Sequence, residues 1–152
     1  MIATQTPPNP VQTVLADRFI STEIDRFTLI FPAVWVAEIL RIERSQILDL
    51  PFYDPLLTGI VHNNGLIIPL IAAARLLKVE QLGMRERSIV IRLNEAAGSL
   101  ANIGVVVDRA IGTTNRQDLP SDLFTTAATD GLMLMMRPEL IPPGLWQPRV
   151  NG

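Results

Sequence analysis

The sequence predicts an all-β protein with one short helix, arranged as two paired small barrels. Segments rich in β-branched and apolar residues recur in two halves of similar β content, at about residues 15–80 and 88–140. Asn64-Gly65 stands between two apolar segments, as in a hairpin with a type I′ turn, which needs positive φ at both central residues. Helical spacing is confined to one alanine-rich segment, residues 71–79.

In the first half, alternating apolar residues predict strands over residues 20–24 and 27–31, and the segment 34–42 predicts a third. The hairpin follows, with apolar strands at residues 60–61 and 66–68 that fit a sheet with one buried face. Pro69 lacks a backbone N–H, so it predicts an edge or a bulge at that point.

In the second half, residues 88–93 predict a strand, residues 94–99 a turn and residues 101–108 the returning strand. Asp130-Gly131 predicts a last hairpin between strands at residues 123–129 and 132–136. The methionines at 133, 135 and 136 are interpreted as core-filling residues. A polar segment, residues 80–87, is predicted to link the halves.

Composition and chain ends narrow the class of protein. The 152 residues are 48% apolar, carry a net charge of −2 and include no cysteine, which excludes disulfides and thiol chemistry. The sequence has no basic block, so we do not expect nucleic-acid binding. It has no apolar run long enough to span a membrane, so we do not expect membrane insertion. The lack of cysteine fits a cytoplasmic protein, and we expect that location. Residues 1–12 and 142–152 are proline-rich and predicted to be tails around one domain, 13–141; Trp146 is expected to cover an apolar edge of that domain.

Catalytic and metal-binding motifs are absent from the sequence. His62 is the sole histidine, and no serine lies in a nucleophile-elbow pattern, so His62 is expected to bond the backbone beside the turn. One histidine cannot supply a zinc site. Glu38 and Asp108-Arg109 interrupt apolar strands; they either face solvent or form the rim of an apolar association surface.

The chain resembles the CheW-like domain family, the adaptors of bacterial chemosensory arrays, from about residue 27 to 141. Phe31-Pro32 to Ile39 is similar to the family's L-P-x-x-x-V-x-E-V segment, and Gly59 to Gly65 is similar to G-V-x-N-L-R-G. Further similar segments follow in the family's order: Leu50-Pro51, Ile68-Pro69-Leu70-Ile71, Arg75-Leu76-Leu77, Ile103 to Arg109, and Arg137 to Leu140.

This resemblance implies two intertwined five-stranded SH3-like barrels, no enzymatic activity and no cofactor or metal. It implies two partners: the regulatory domain of a CheA-type histidine kinase and the cytoplasmic tip of a methyl-accepting receptor. By motif position it implies a partner-binding set of Val36, Glu38, Gly59, Asn64 and Gly65.

Two positions depart from the family's pattern. Asn64 stands where the family has an arginine that can pair with the glutamate at Glu38, so that pair cannot form here, and Ala72 replaces an acid. These departures suit a divergent adaptor, for instance of a pilus-motility or phototaxis pathway. The residues alone leave two alternative functions. One is a small-molecule-binding regulatory β-domain, which needs a concave pocket. The other is a hydrolase that uses His62.

Overall fold

The computed structural model describes residues 16–81, 85–125 and 131–148, which form two β-sheets. The strands are β1 (Arg18–Ile24), β2 (Phe27–Pro32), β3 (Val36–Glu43), β4 (Ile47–Leu48), β5 (Leu57–Asn63), β6 (Leu66–Ala72), β7 (Arg87–Leu93), β8 (Gly104–Val107), β9 (Arg109–Asn115) and β10 (Met133–Met135). The helix α1 is Ala73–Leu76. The described residues are 46% strand, which confirms the predicted mostly-β class.

The strands from both halves of the chain are intertwined. The four-stranded sheet has the order β10-β2-β1-β9, and the six-stranded sheet has the order β3-β7-β8-β6-β5-β4. The first sheet therefore joins the two ends of the domain, while the second contains its middle. The strands divide as four and six, where the sequence indicated five in each barrel.

The six-stranded sheet curls so that its two edge strands approach each other. Strands β3 and β4 are those edges, and only the single 3₁₀ turn Arg44–Gln46 joins them in the chain. The turn is fixed by a bond from the Glu43 N–H to Oε1 of Gln46 (2.8 Å) and by one from the Arg44 N–H to the Glu86 carbonyl (2.8 Å). We call the concave side of this sheet the inner face; it carries the buried residues Ile42, Val61, Ile68, Leu70 and Val90.

The largest core lies between the two sheets. Both sheets contribute to it, including Phe31 and Leu29 from β2 and Ile91 and Leu93 from β7, all fully buried. Leu145 also enters this core and is fully buried, whereas Trp146 is 40% exposed. The C-terminal segment thus packs into the core through Leu145, while Trp146 stays partly exposed at the surface.

The observed helix, α1, is shorter than the helix predicted at residues 71–79. Ile71 and Ala72 continue β6, and α1 stops at Leu76. Lys78 has a φ of 58°, and the Val79 N–H donates to the Ala74 carbonyl (2.7 Å), which is the bond pattern of a Schellman C-cap. This cap ends the helix after one turn.

The last hairpin of the sequence prediction is wrong where its first strand was predicted to begin, at residues 123–125. Ser121–Phe124 is a 3₁₀ turn whose Leu123 covers a small core with Phe19 and Ile30, so burial of that leucine decides the local structure. Strand β10 lies within the predicted strand 132–136 and pairs in parallel with β2. Residues 126–129 of the predicted first strand and Asp130 of the predicted turn lie outside the described residues. The methionines of β10 pack against the core, and Met136 is buried, as predicted.

Strand β9 was not predicted from the sequence. Its residues, RAIGTTN, are mostly exposed because it forms an edge of the four-stranded sheet, so it lacks the apolar alternation of a half-buried strand. The strands at residues 20–24, 27–31 and 88–93 were predicted correctly. The strands predicted at 34–42 and 101–108 are present but begin later, at Val36 after the 3₁₀ turn Ala33–Trp35 and at Gly104.

Candidate partner-binding site

The hairpin between β5 and β6 has the predicted turn. Asn64 and Gly65 have φ values of 49° and 79°, the positive pair of a type I′ turn. Asn63 and Leu66 pair across the turn, so the tip projects beyond the rest of the sheet. Both turn residues are exposed, which leaves them accessible to a partner.

Replacing Gly65 by alanine is expected to lower the free energy of unfolding by about 1 to 2 kcal/mol, the cost of left-handed backbone for a residue with a Cβ. No atom beyond its chain neighbours lies within 4 Å of the added Cβ, so steric overlap with the rest of the fold does not contribute. Gly144→Ala is the matched control, since its site is equally open and its φ is not positive. Urea unfolding of both variants measures the difference, and equal losses would contradict the prediction.

The strand register aligns two members of the predicted partner-binding set. Glu38 pairs with Arg92, Arg92 with Gly104, Gly104 with Leu70, and Leu70 with Gly59, which forms one row across five strands. Because directly paired residues share a face, this row lies on the inner face, at one end of the small core that contains Leu70. Val36 is half-buried beside this row at the start of β3.

Gly59 has a packing function at its position. A Cβ there would lie 2.5 Å from the Leu48 carbonyl oxygen and 2.8 Å from Cγ2 of Ile47. The missing side chain therefore allows β4 to lie close against β5. Gly59 is buried, so any partner reaches it through the residues around it.

Glu38 forms an ion pair that sequence reasoning missed. Its Oε1 accepts a hydrogen bond from Nε of Arg92 at 2.7 Å, and the side chains are 34% and 16% exposed respectively. Asn64 cannot supply the family's arginine, but an arginine on the neighbouring strand pairs with this carboxylate. The sequence carried no signal for this pair, because residues 34–42 and 88–93 were assigned to different halves and the pairing of β3 with β7 is seen only in the structure.

Asp108 and Arg109 make contacts within the fold. Asp108 accepts hydrogen bonds from the Asp25 N–H (2.7 Å) and from Nε2 of Gln81 (3.0 Å). Nη2 of Arg109 lies 2.8 Å from both carboxylate oxygens of Glu23. These bonds connect the β8–β9 segment to β1 and the residue that follows it, so both side chains stabilise the contact between these strands.

A second surface, absent from the predicted set, lies on the convex side of the curled sheet. Leu48, Ile60 and Pro69 form one row across β4, β5 and β6, and Ile67 lies beside it. We call these four residues the outer apolar face. Leu48 is 63% and Ile67 65% exposed, which is unusual for two large apolar side chains on the same face of one sheet, on strands separated only by β5.

The sequence carried a signal for this surface. Leu66, Ile67 and Ile68 are consecutive apolar residues in a strand, whereas one buried face requires only every second residue to be apolar. Ile68 is buried in the small core, so Ile67 necessarily points to the opposite side. His62 pairs with Ile67 and is also exposed. Its imidazole forms no hydrogen bond with a described residue, so the predicted bond to the backbone is wrong.

A cleft of about 1080 Å³ lies where β4 and the following loop approach α1 and β8. Tyr53, Leu57 and Val107 are among its apolar lining residues, and Arg75 and Arg85 are among the charged ones. The hydroxyl of Thr58, which also lines the cleft, is buried and has no hydrogen-bond partner among the described residues.

Two further observations concern metals and membranes. Residues 16–81, 85–125 and 131–148 contain no cluster of three or more histidine, aspartate or glutamate residues placed to hold a metal ion. Within these same ranges, no helix has the length and apolar character needed to cross a membrane.

Comparison with known proteins agrees with this fold. No curated protein sequence matches the chain significantly. The crystal structure of the scaffolding protein TtCheW from Thermoanaerobacter tengcongensis is similar, with a TM-score of 0.52 and 16% sequence identity over 66% of this chain. The similar region spans 65% of the length of that structure, and at this identity the likeness concerns the fold. Residues 18–126 match the CheW-like domain, and we conclude that the chain belongs to the CheW-like domain family.

Proposed function

We propose that this protein is a non-enzymatic adaptor that couples chemoreceptors to a CheA-type histidine kinase in chemotaxis, phototaxis or pilus-motility signalling. Its partners are the regulatory domain of the kinase and the cytoplasmic tip of a methyl-accepting receptor, so the proposal places it in the cytoplasm. Membership of the CheW-like family supports a scaffold role of this general kind.

The outer apolar face is the observation that carries the proposal. Four apolar residues on three adjacent strands share one face; Ile60 and Pro69 are half-buried, and Leu48 and Ile67 keep more than half of their surface exposed. Apolar side chains with fixed strand positions suit the centre of a protein–protein interface. An interface of modest size would bury about 800 Å² on each partner.

Calorimetric titration of the purified chain with the regulatory domain of a CheA-type kinase from the same organism tests the proposal. We expect micromolar binding, and we expect a receptor cytoplasmic fragment to join the complex in a pull-down. Failure of every such kinase domain to bind at tens of micromolar would contradict the proposal.

The cleft favours a second candidate function, a small-molecule-binding regulatory domain. Its volume lies close to the range of ligand sites, and it combines apolar walls with arginines that could hold an organic anion. Thermal denaturation in the presence of a panel of small carboxylates and phosphates tests this function. A rise in melting temperature that Arg75→Gln abolishes would support it, and no rise with any compound would count against it.

A further inference from the structure

Arg92 and Glu38 differ from the other ion pairs of the described chain in their location. Arg92 lies on an inner strand of the curled sheet and its side chain is 16% exposed, whereas Arg26, Arg85 and Arg109 are 63% to 68% exposed in their own pairs. Glu38 is the more exposed member, at 34%. The arginine therefore lies beneath the carboxylate, which occupies the more accessible position.

The pair leaves hydrogen-bonding capacity on its exposed side. Nε of Arg92 donates to Oε1 of Glu38, and no other hydrogen bond of either side chain to a described residue is present. The second carboxylate oxygen, Oε2, is thus available as an acceptor. By contrast, the Glu23 carboxylate shares both oxygens with Arg109.

The backbone fixes where this free oxygen lies. Glu38 and Arg92 are directly paired residues, and the neighbouring positions in their row are Gly104 and Leu70. A Cβ at Gly104 would lie 2.6 Å from Cγ1 of Val90 and 2.8 Å from Cδ2 of Leu70, so the inner face is tightly filled beside the pair. Arg92 lies next to Gly104 in this packed row, and its hydrogen bond to Oε1 orients the Glu38 carboxylate.

We propose that Arg92 is a positioning residue of the partner-binding site, which orients Glu38 so that its free oxygen accepts a hydrogen bond from a donor group of the partner. This inference rests on the proposed adaptor function. The partner group is an N–H donor, either a cationic side chain or a backbone amide. An unpaired Glu38 would sample several rotamers and would lose entropy on binding, so removal of Arg92 weakens binding without removing the acceptor.

A double-mutant cycle with the kinase regulatory domain tests this inference by calorimetry, with thermal denaturation of every variant in parallel. We expect Arg92→Gln to raise Kd about tenfold and Arg92→Lys, which keeps the charge, to raise it less. In the Glu38→Gln background, Arg92→Gln should change Kd by less than twofold, because the residue acts through the carboxylate. A purely structural role would lower the melting temperature and leave Kd unchanged.

Glu23→Gln and Arg109→Gln provide the matched controls, since they break the same type of ion pair in the other sheet and should leave Kd unchanged. An unchanged Kd for Arg92→Gln, or an equal loss in both backgrounds, would overturn the inference while the adaptor function stands. Absence of binding by the unmodified chain would instead overturn the adaptor function and this inference with it.

Discussion

Replacing Gly59 by alanine is expected to lower the free energy of unfolding by about 3 kcal/mol, at the upper end of the usual cost of overpacking. The added Cβ would lie 2.5 Å from a backbone oxygen, that of Leu48, which cannot rotate away as a side chain could. Relief requires β4 to move from β5, and that movement would break the pairs Ile47–Val61 and Leu48–Ile60. Urea unfolding measures the loss.

Gly112→Ala is a closely matched control for this variant. Gly112 has a φ of 159° and Gly59 a φ of 158°, but no atom lies within 4 Å of a Cβ at Gly112. Any intrinsic cost of the backbone conformation is therefore common to both variants, and the difference between them measures the close approach of β4. Similar losses for the two variants would show that the contact with Leu48 is unimportant for stability.

Local patterns predicted the elements whose structure depends on nearby residues. The type I′ turn at Asn64-Gly65 follows from the φ preferences of two residues, and the half-buried strands follow from alternation along one segment. Elements determined by distant contacts were missed. The 3₁₀ turn Ser121–Phe124 stands where the predicted strand 123–129 was to begin, and its Leu123 fills a core with Phe19 and Ile30 from another part of the chain.

In the candidate site, too, features that depend on local sequence were predicted and features that depend on distant contacts were missed. Motif similarity indicated Glu38 and Gly59, and the structure aligns them in one row. Arg92 could not be assigned to Glu38 because pairing register between strands 54 residues apart is a tertiary property. The outer apolar face depends on β4, a strand of two residues, which is too short to produce a recognisable alternation.

Replacing Ile67 by glutamate is expected to weaken binding of the kinase regulatory domain by at least about 30-fold, or ~2 kcal/mol, the effect of losing an interface hot spot. An unpaired carboxylate at the centre of an apolar contact loses its hydration without gaining a partner. Stability should change little, because Ile67 is 65% exposed in the free chain. Calorimetric titration and urea unfolding of the same preparation separate these two effects.

Ile111→Glu distinguishes a specific surface from a general effect of added negative charge. Ile111 is 56% exposed and lies on β9, in the other sheet, so the variant has the same net charge and a similar loss of exposed apolar area. We expect it to bind the kinase domain like the unmodified chain, and we expect Leu48→Glu to lose affinity as Ile67→Glu does, because both residues lie on the outer apolar face. Equal binding by the Ile67 and Ile111 variants would show that the kinase domain does not contact this face.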